Sequence, residues 1–255
     1  MKMYRYQRVR SISYGVLKED LIYPVIGSIF GNFKLKQRGI PISDVRILSP
    51  VQPSKIIAVG TNYKDHAMER GRPLPKEPLL FLKPPSAVIG PGDIIAYPSM
   101  SKRIDYEGEL AVVIKRKAFQ LKKSENEKKY ILGYTCFNDV TARDLQDRDV
   151  QFTRAKSFDT FASIGPCIAT DIDPACARLK TFLNGKLRQS GYTKNLIFSV
   201  SFLIKHISQI MTLFPGDVIT TGTPAGIGPM KAGDRVDVQI EGIGTLSNIV
   251  MKIRK

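Results

Sequence analysis

Glycine (20 residues) and proline (16 residues) cut this 255-residue chain into short runs rich in Val, Ile, Thr, Phe and Tyr. Runs of that length and composition, bounded by turn residues, read as β-strands. YRYQRVR and LIYPVIGSIF read so near the start, then KIIAVG, PLLFLKP and DIIAYP. IDYEGELAVVI and YILGYTCFND carry the strongest strand patterns, and the end of the chain reads as strand, glycine-rich loop, strand, strand (DVIT, TGTPAGIG, DRVDVQI, GTLSNIVMKI). The order is neither a βαβ alternation nor a helical bundle. The expected class is α+β, mainly β and mainly antiparallel, with a few helices packed outside.

Two helices stand out. TNYKDHAMERG reads as a short helix capped by Thr61 or Asn62 and stopped at Gly71. Val200, Leu203, Ile204, Ile207, Ile210, Met211 and Phe214 recur near a period of 3.6, which predicts an amphipathic helix running to Pro215-Gly216-Asp217. TARDLQDRDVQFTRAKSFDTF reads as helix followed by loop. Pro50 and Pro53 mark a boundary, because each restricts the preceding residue to extended conformations. Residues 1–52 are therefore read as a small N-terminal domain and 53–255 as the main body.

The formal charge is +16, which raises the question of nucleic acid. Much of it is local. Residues 1–50 hold nine basic and three acidic side chains, and Lys115 to Lys129 hold seven and two. The second cluster lies between the two strongest strand patterns and reads as a protruding, solvated hairpin loop. No helix-turn-helix, zinc-finger or aromatic-basic RNA-binding pattern accompanies it, so no specific nucleic-acid partner is expected. The longest uncharged run near the start, Leu21 to Phe33, is broken by Pro24, Gly27 and Gly31 and is too short to span a bilayer. No membrane partner is expected, and the chain reads as cytoplasmic. Cys136, Cys167 and Cys176 show no C-x-x-C spacing and read as buried reduced thiols.

Chemistry concentrates in the string Ile104 to Ile114. The string reads as one strand, in which Ile104, Tyr106, Leu110, Val112 and Ile114 share one face, and Asp105, Glu107 and Glu109 the other. Three carboxylates on one face repel one another unless a cation sits among them, and an all-oxygen set suits Mg²⁺, Mn²⁺ or Ca²⁺. An exposed acidic edge is the alternative. Gly108 lets a ligand or neighbour come close. Asp139 closes the other strong strand; it can complete a three-carboxylate site with Glu107 and Glu109, or cap the following turn.

His66 and Glu69 stand at i and i+3 on the short helix and can pair, which is one way to prepare a general base. A surface histidine, with Glu69 paired to Arg70 or Arg72, is the competing reading. His206 lies on the polar side of its helix. Lys156, in a segment rich in aromatics, is a candidate oxyanion partner or a solvated lysine. TGTPAGIGPM lacks the order of a phosphate-binding loop, so nucleotide binding is rejected.

NYKDH, FLKPPSA, IDYEGELAVVI, GYTCFNDVTARDLQ, RAKSFDTF and PGDVITTGTPAGIGPM, in this order, resemble the fumarylacetoacetate hydrolase superfamily over about Lys55 to Lys255. The similarity is to the branch holding acylpyruvate hydrolases, oxaloacetate decarboxylases and 2-hydroxyhepta-2,4-diene-1,7-dioate isomerases of aromatic catabolism. The resemblance implies a mixed β-sandwich roll with peripheral helices, a homodimer, and one Mg²⁺ (or Mn²⁺ or Ca²⁺) per chain. It places metal ligands at Glu107, Glu109 and Asp139, catalytic roles at His66, Glu69 and Lys156, and substrate contacts at Arg143, Gln146 and Thr223. Asp105 then becomes a partner of the ligands or of Lys156. The activity it implies is metal-dependent C–C hydrolysis of acylpyruvate- or fumarylacetoacetate-type 2-oxo acids through a metal-stabilised enolate, with isomerisation or oxaloacetate decarboxylation as the alternative. One departure is Phe152, where the family often has Trp.

Overall fold

The structure is a computed structural model that describes residues 1–71 and 73–252. Arg72, one of the partners considered for Glu69, and Ile253, the end of the last expected strand, lie outside them. The architecture is mainly β, with helices at Lys64–Glu69, Arg143–Gln146, Thr153–Lys156 and Val200–Ile210. No helix among the described residues is long and apolar enough to cross a membrane.

A large sheet carries the site. At its centre Gly108–Ile114 pairs antiparallel with Ile131–Asp139 on one side and with Val218–Thr220 on the other. Outward from Val218–Thr220 come Ile56–Gly60, parallel to it, and the edge strand Leu79–Lys83. Beyond Ile131–Asp139 comes Ala162–Ala169, which also pairs with Lys2–Arg8. The N-terminal strands therefore extend the main sheet: Lys2–Arg8, Ser11–Lys18 and Leu21–Gly27 follow in antiparallel order.

All seven residues of Gly108–Ile114 are buried. Leu110, Val112 and Ile114 enter one apolar cluster; Ala111 and Val113 enter another on the opposite face. A strand covered on both faces reads as a continuous apolar run.

The string Ile104 to Ile114 is not one strand. Ile104–Tyr106 belongs to a separate small sheet with Thr141–Ala142 and Gly228–Met230, and the chain crosses between sheets at Glu107. Ile104 and Tyr106 accordingly pack in a third cluster, away from Leu110. Gly108 makes the crossing possible, since a Cβ there would lie 2.2 Å from Thr181 Oγ1.

The chain leaving the edge strand at Lys83 turns through Pro84 and Pro85 and pairs Val88–Ile89 with Ala162–Ser163. Asp139 faces Ala162 in the adjoining ladder. That return explains how a residue on the sheet's edge reaches the carboxylates at its centre.

Other expectations are corrected locally. The short helix begins after Tyr63, with no side-chain cap from Thr61 or Asn62, and ends at Glu69. Asn62 is buried instead: its amide donates to Phe198 O and Thr221 O and its oxygen accepts from Phe198 N, joining three loops. The long helix is capped by Ser199 and stops at Ile210, because Met211 turns extended and Leu213 forms a backbone bridge with Ala118. The lysine-rich segment does connect a hairpin, yet it lies against that helix: Gln120 N donates to Ser208 O and Lys205 Nζ to Lys123 O. Cys136 and Cys167 are buried, but Cys176 is exposed. Arg178–Leu183 and Lys186–Tyr192, two strands that the sequence reading did not assign, form an antiparallel pair within a five-stranded sheet.

Candidate metal-assisted active site

Glu107, Glu109 and Asp139 converge, with one carboxylate oxygen from each lying within 4.8 Å of the others. The fold supplies the convergence in two ways. Glu107 sits at the crossing between sheets, where its N–H donates to Asn138 Oδ1 and its carbonyl accepts from Asp139 N. Glu109 is the second residue of the central strand and faces Phe137, which lies two residues before Asp139. All three are buried.

Four buried carboxylates, including Asp105, face three buried cations, Lys83, Lys156 and Arg143. Lys156 Nζ bridges two ligands, 2.8 Å from Glu107 Oε2 and 2.7 Å from Asp139 Oδ2. Arg143 donates to Glu107 Oε1, to Gln146 Oε1 and, at 2.9 Å, to Asp105 Oδ2. Asp105 also accepts from Arg103 Nε at 2.8 Å. Asp105, expected to partner the ligands or Lys156, hydrogen-bonds neither directly; it reaches the ligand Glu107 through Arg143. Lys83, which no site expectation included, donates to Asp139 Oδ1 and to Val140 O.

These charges act unequally. Burial opposes ionisation of Glu107, but Lys156 and Arg143 outweigh it and hold its carboxyl well below the usual range. Burial, with the charges of Asp139 and Glu107 added, pushes Glu109 well above that range; Lys156 and the Gly222 N–H, 2.8 Å from its Oε2, oppose this incompletely. Burial also works against the charge on Lys156, yet Asp139 and Glu107 keep its pKa raised. A carboxylate destabilised by two buried neighbours of its own sign is what a hard divalent cation would relieve. The donor set fits such an ion.

His66, on the short helix, lines the same cleft as this cluster. Its Nδ1 lies 3.0 Å from Glu69 Oε2. A carboxylate only accepts, so Nδ1 carries the hydrogen and Nε2 is the free nitrogen. The helix is fastened to the glycine-rich loop, whose Gly226 N donates to Glu69 Oε1 at 2.9 Å. In the same loop Thr223 donates to Gly108 O and accepts from Gln189 Nε2, both at 2.8 Å.

A cleft joins these parts. His66, the three carboxylates, Arg143, Gln146, Lys156 and Thr223 all line it, as do Arg70, Phe81 and Phe152. Glu69 contributes through His66. Phe152 meets Phe81 edge to face, centroids 5.5 Å apart, and the Lys156 ammonium lies 5.2 Å from the Phe81 ring. The sequence reading noted Phe152 only as a departure from Trp; the structure makes it a wall of the cleft. Asn62, Lys83 and Gln189 were missed, though Asn62 and Lys83 fall inside NYKDH and FLKPP, two of the strings that carried the resemblance.

Residues 55–251 match the fumarylacetoacetate (FAA) hydrolase C-terminal family, and residues 1–50 match the Rv2993c-like N-terminal family. The chain belongs to the fumarylacetoacetate hydrolase family. An uncharacterised protein of Archaeoglobus fulgidus is 57% identical over 84% of this chain and 85% of its own. The Bacillus subtilis oxaloacetate tautomerase YisK is 43% identical over 81% of this chain and 73% of its own. Among solved members of the family, a 5-carboxymethyl-2-hydroxymuconate delta-isomerase from Mycobacterium smegmatis is 41% identical and superposes with a TM-score of 0.93, covering 99% of this chain and all of its own. A maleylpyruvate hydrolase from Sphingobium sp. SYK-6, solved with manganese(II) and pyruvate, is 28% identical with a TM-score of 0.83, covering all of both chains.

Proposed function

We propose that this fumarylacetoacetate hydrolase family member is a divalent-metal-dependent enzyme of small 2-oxo acids whose common chemical event is formation and protonation of an enolate. The observation that supports this reading above all is that one cleft is lined both by the buried carboxylates Glu107, Glu109 and Asp139 and by His66, which is paired with Glu69. Those three carboxylates would hold the ion. When bound, it supplies Lewis acidity that stabilises charge developing on the 2-oxo oxygen. Adding two positive charges to four buried carboxylates and three buried cations leaves a positive excess, suited to an anionic substrate.

The chain's own residues supply the rest. The free nitrogen of His66 takes a proton from the carbon beside the 2-oxo group, with Glu69 holding the ring and stabilising its charged form. The Lys156 ammonium donates to the developing oxyanion, and Arg143 with Gln146 receives the substrate carboxylate. Returning the proton to oxygen or carbon interconverts keto and enol forms. That reaction is favoured here by the 43% identity to a protein named oxaloacetate tautomerase.

A second reading, C–C hydrolysis of acylpyruvates, is favoured by the likeness to maleylpyruvate hydrolase. In it His66 deprotonates water, which attacks the distal carbonyl, and cleavage releases pyruvate as its enolate. A panel of oxaloacetate, acetylpyruvate, fumarylpyruvate and a hydroxymuconate-type dienoate, assayed with Mg²⁺, separates the two. Faster keto–enol conversion of oxaloacetate supports the first, faster acylpyruvate cleavage the second, and turnover of none refutes both.

A further inference from the structure

Two buried lysines meet the same carboxylate, and their surroundings differ. Lys156 lines the cleft and bridges Glu107 and Asp139. Lys83 is fully buried, does not line the cleft, and gives its ammonium to Asp139 Oδ1 and, at 3.3 Å, to Val140 O. It makes no hydrogen bond to Glu107 or Glu109 among the described residues. One ammonium can therefore exchange partners with whatever enters the cleft, while the other is walled off from it.

The strand that carries Lys83 explains this placement. In Leu79–Lys83, alternate residues share a face. Phe81 and Lys83 both turn inward, while Leu82 is exposed. Phe81 supports the Lys156 ammonium through its ring face, and Lys83 supports Asp139. Pro84 and Pro85 then turn the chain so that Lys83 ends on Asp139, 56 positions further along the chain. One edge strand thus braces both partners of the Lys156–Asp139 contact.

We infer that Lys83 is a positioning residue for the metal centre: it clamps one oxygen of Asp139 so that the carboxylate presents the other to the ion in a fixed orientation. This rests on the metal reading above and adds to it a specificity role. Mg²⁺ demands near-regular octahedral geometry, whereas Ca²⁺ accepts irregular coordination. A clamped ligand therefore matters more for Mg²⁺.

The test is calorimetric titration of the full-length chain and of Lys83→Met with Mg²⁺ and, separately, with Ca²⁺, alongside circular dichroism and a thermal melt. The expected result is a folded variant whose Mg²⁺ affinity falls at least tenfold while its Ca²⁺ affinity falls several-fold less. Equal losses for the two ions, unchanged affinity, or tighter Mg²⁺ binding would overturn the role of Lys83 while leaving the metal site standing. Absence of metal binding by the unsubstituted chain would overturn both. If Lys83→Met does not fold, Lys83→Arg keeps the charge but misplaces it, and the same preferential loss of Mg²⁺ is required; an unchanged Mg²⁺-to-Ca²⁺ ratio overturns the inference.

Discussion

His66 Nδ1 and Glu69 Oε2 lie 3.0 Å apart on a single helix of six residues, Lys64–Glu69. The same Glu69 accepts from Gly226 N through its other oxygen, so the carboxylate that orients the base also fastens its helix to the loop behind the cleft. His66→Ala should abolish reactions that need a proton moved by the enzyme, namely keto–enol conversion and acylpyruvate cleavage, by about 10²-fold or more. Decarboxylation of oxaloacetate, which forms the enolate by loss of CO₂, should fall by less than about tenfold on the same grounds. Steady-state rates for the three reactions on one preparation check this, and equal losses would contradict it.

Glu107 and Glu109 should respond oppositely to neutralisation. The folded chain holds a proton on Glu109 more tightly than the unfolded chain, so stability falls as pH rises above the ordinary value of 4.5 toward the folded value. Glu107 is held below that same value, so its contribution is complete above 4.5 and lost as pH falls through the folded value. With chelator at pH 7, Glu109→Gln should raise the melting temperature and Glu107→Gln lower it, each by about 2 °C or more. Differential scanning calorimetry decides; shifts of the same sign would contradict the electrostatic assignment.

Asn62 makes three hydrogen bonds from a fully buried side chain, to Phe198 and Thr221. Asn62→Ala strands their backbone groups and should cost about 2–3 kcal/mol, lowering the melting temperature by about 5–10 °C. A melt within 1 °C of the parent (about 0.3 kcal/mol by the same scaling) would mean water replaces the amide.

Of the three cysteines, only Cys176 is exposed. Burial pushes the Cys136 thiol far up and the Cys167 thiol to about 11, so both stay protonated and shielded. A thiol reagent should titrate one group per chain in the native protein and all three after denaturation. Rapid reaction of a second native thiol would contradict the packing around the Ala162–Ala169 strand.

The convergence of the three acidic residues was legible because carboxylates in apolar strands are costly without a partner cation, which marks Glu107, Glu109 and Asp139 as candidate metal ligands wherever they fold. The His66–Glu69 pairing was legible because it is local to one helix. Lys83 was not: a lysine ending an apolar strand reads as a solvated tip, and only the return of the chain through Val88–Ile89 shows otherwise. The break at Glu107 was hidden for a similar reason. Alternation continues unbroken through Gly108, and the need for glycine there is set by Thr181, distant in sequence. Long-range pairing also decided the N-terminal segment, whose Lys2–Arg8 strand joins Ala162–Ala169.

Calorimetric titration of chelator-stripped protein with Mg²⁺ and Mn²⁺, beside Glu109→Ala, addresses the central claim most directly. The account requires about one ion per chain in the parent, as three converging carboxylates form one site, and no measurable binding in a folded Glu109→Ala variant. An unsubstituted chain that takes up no ion, or a folded variant that binds as tightly as its parent, would contradict it.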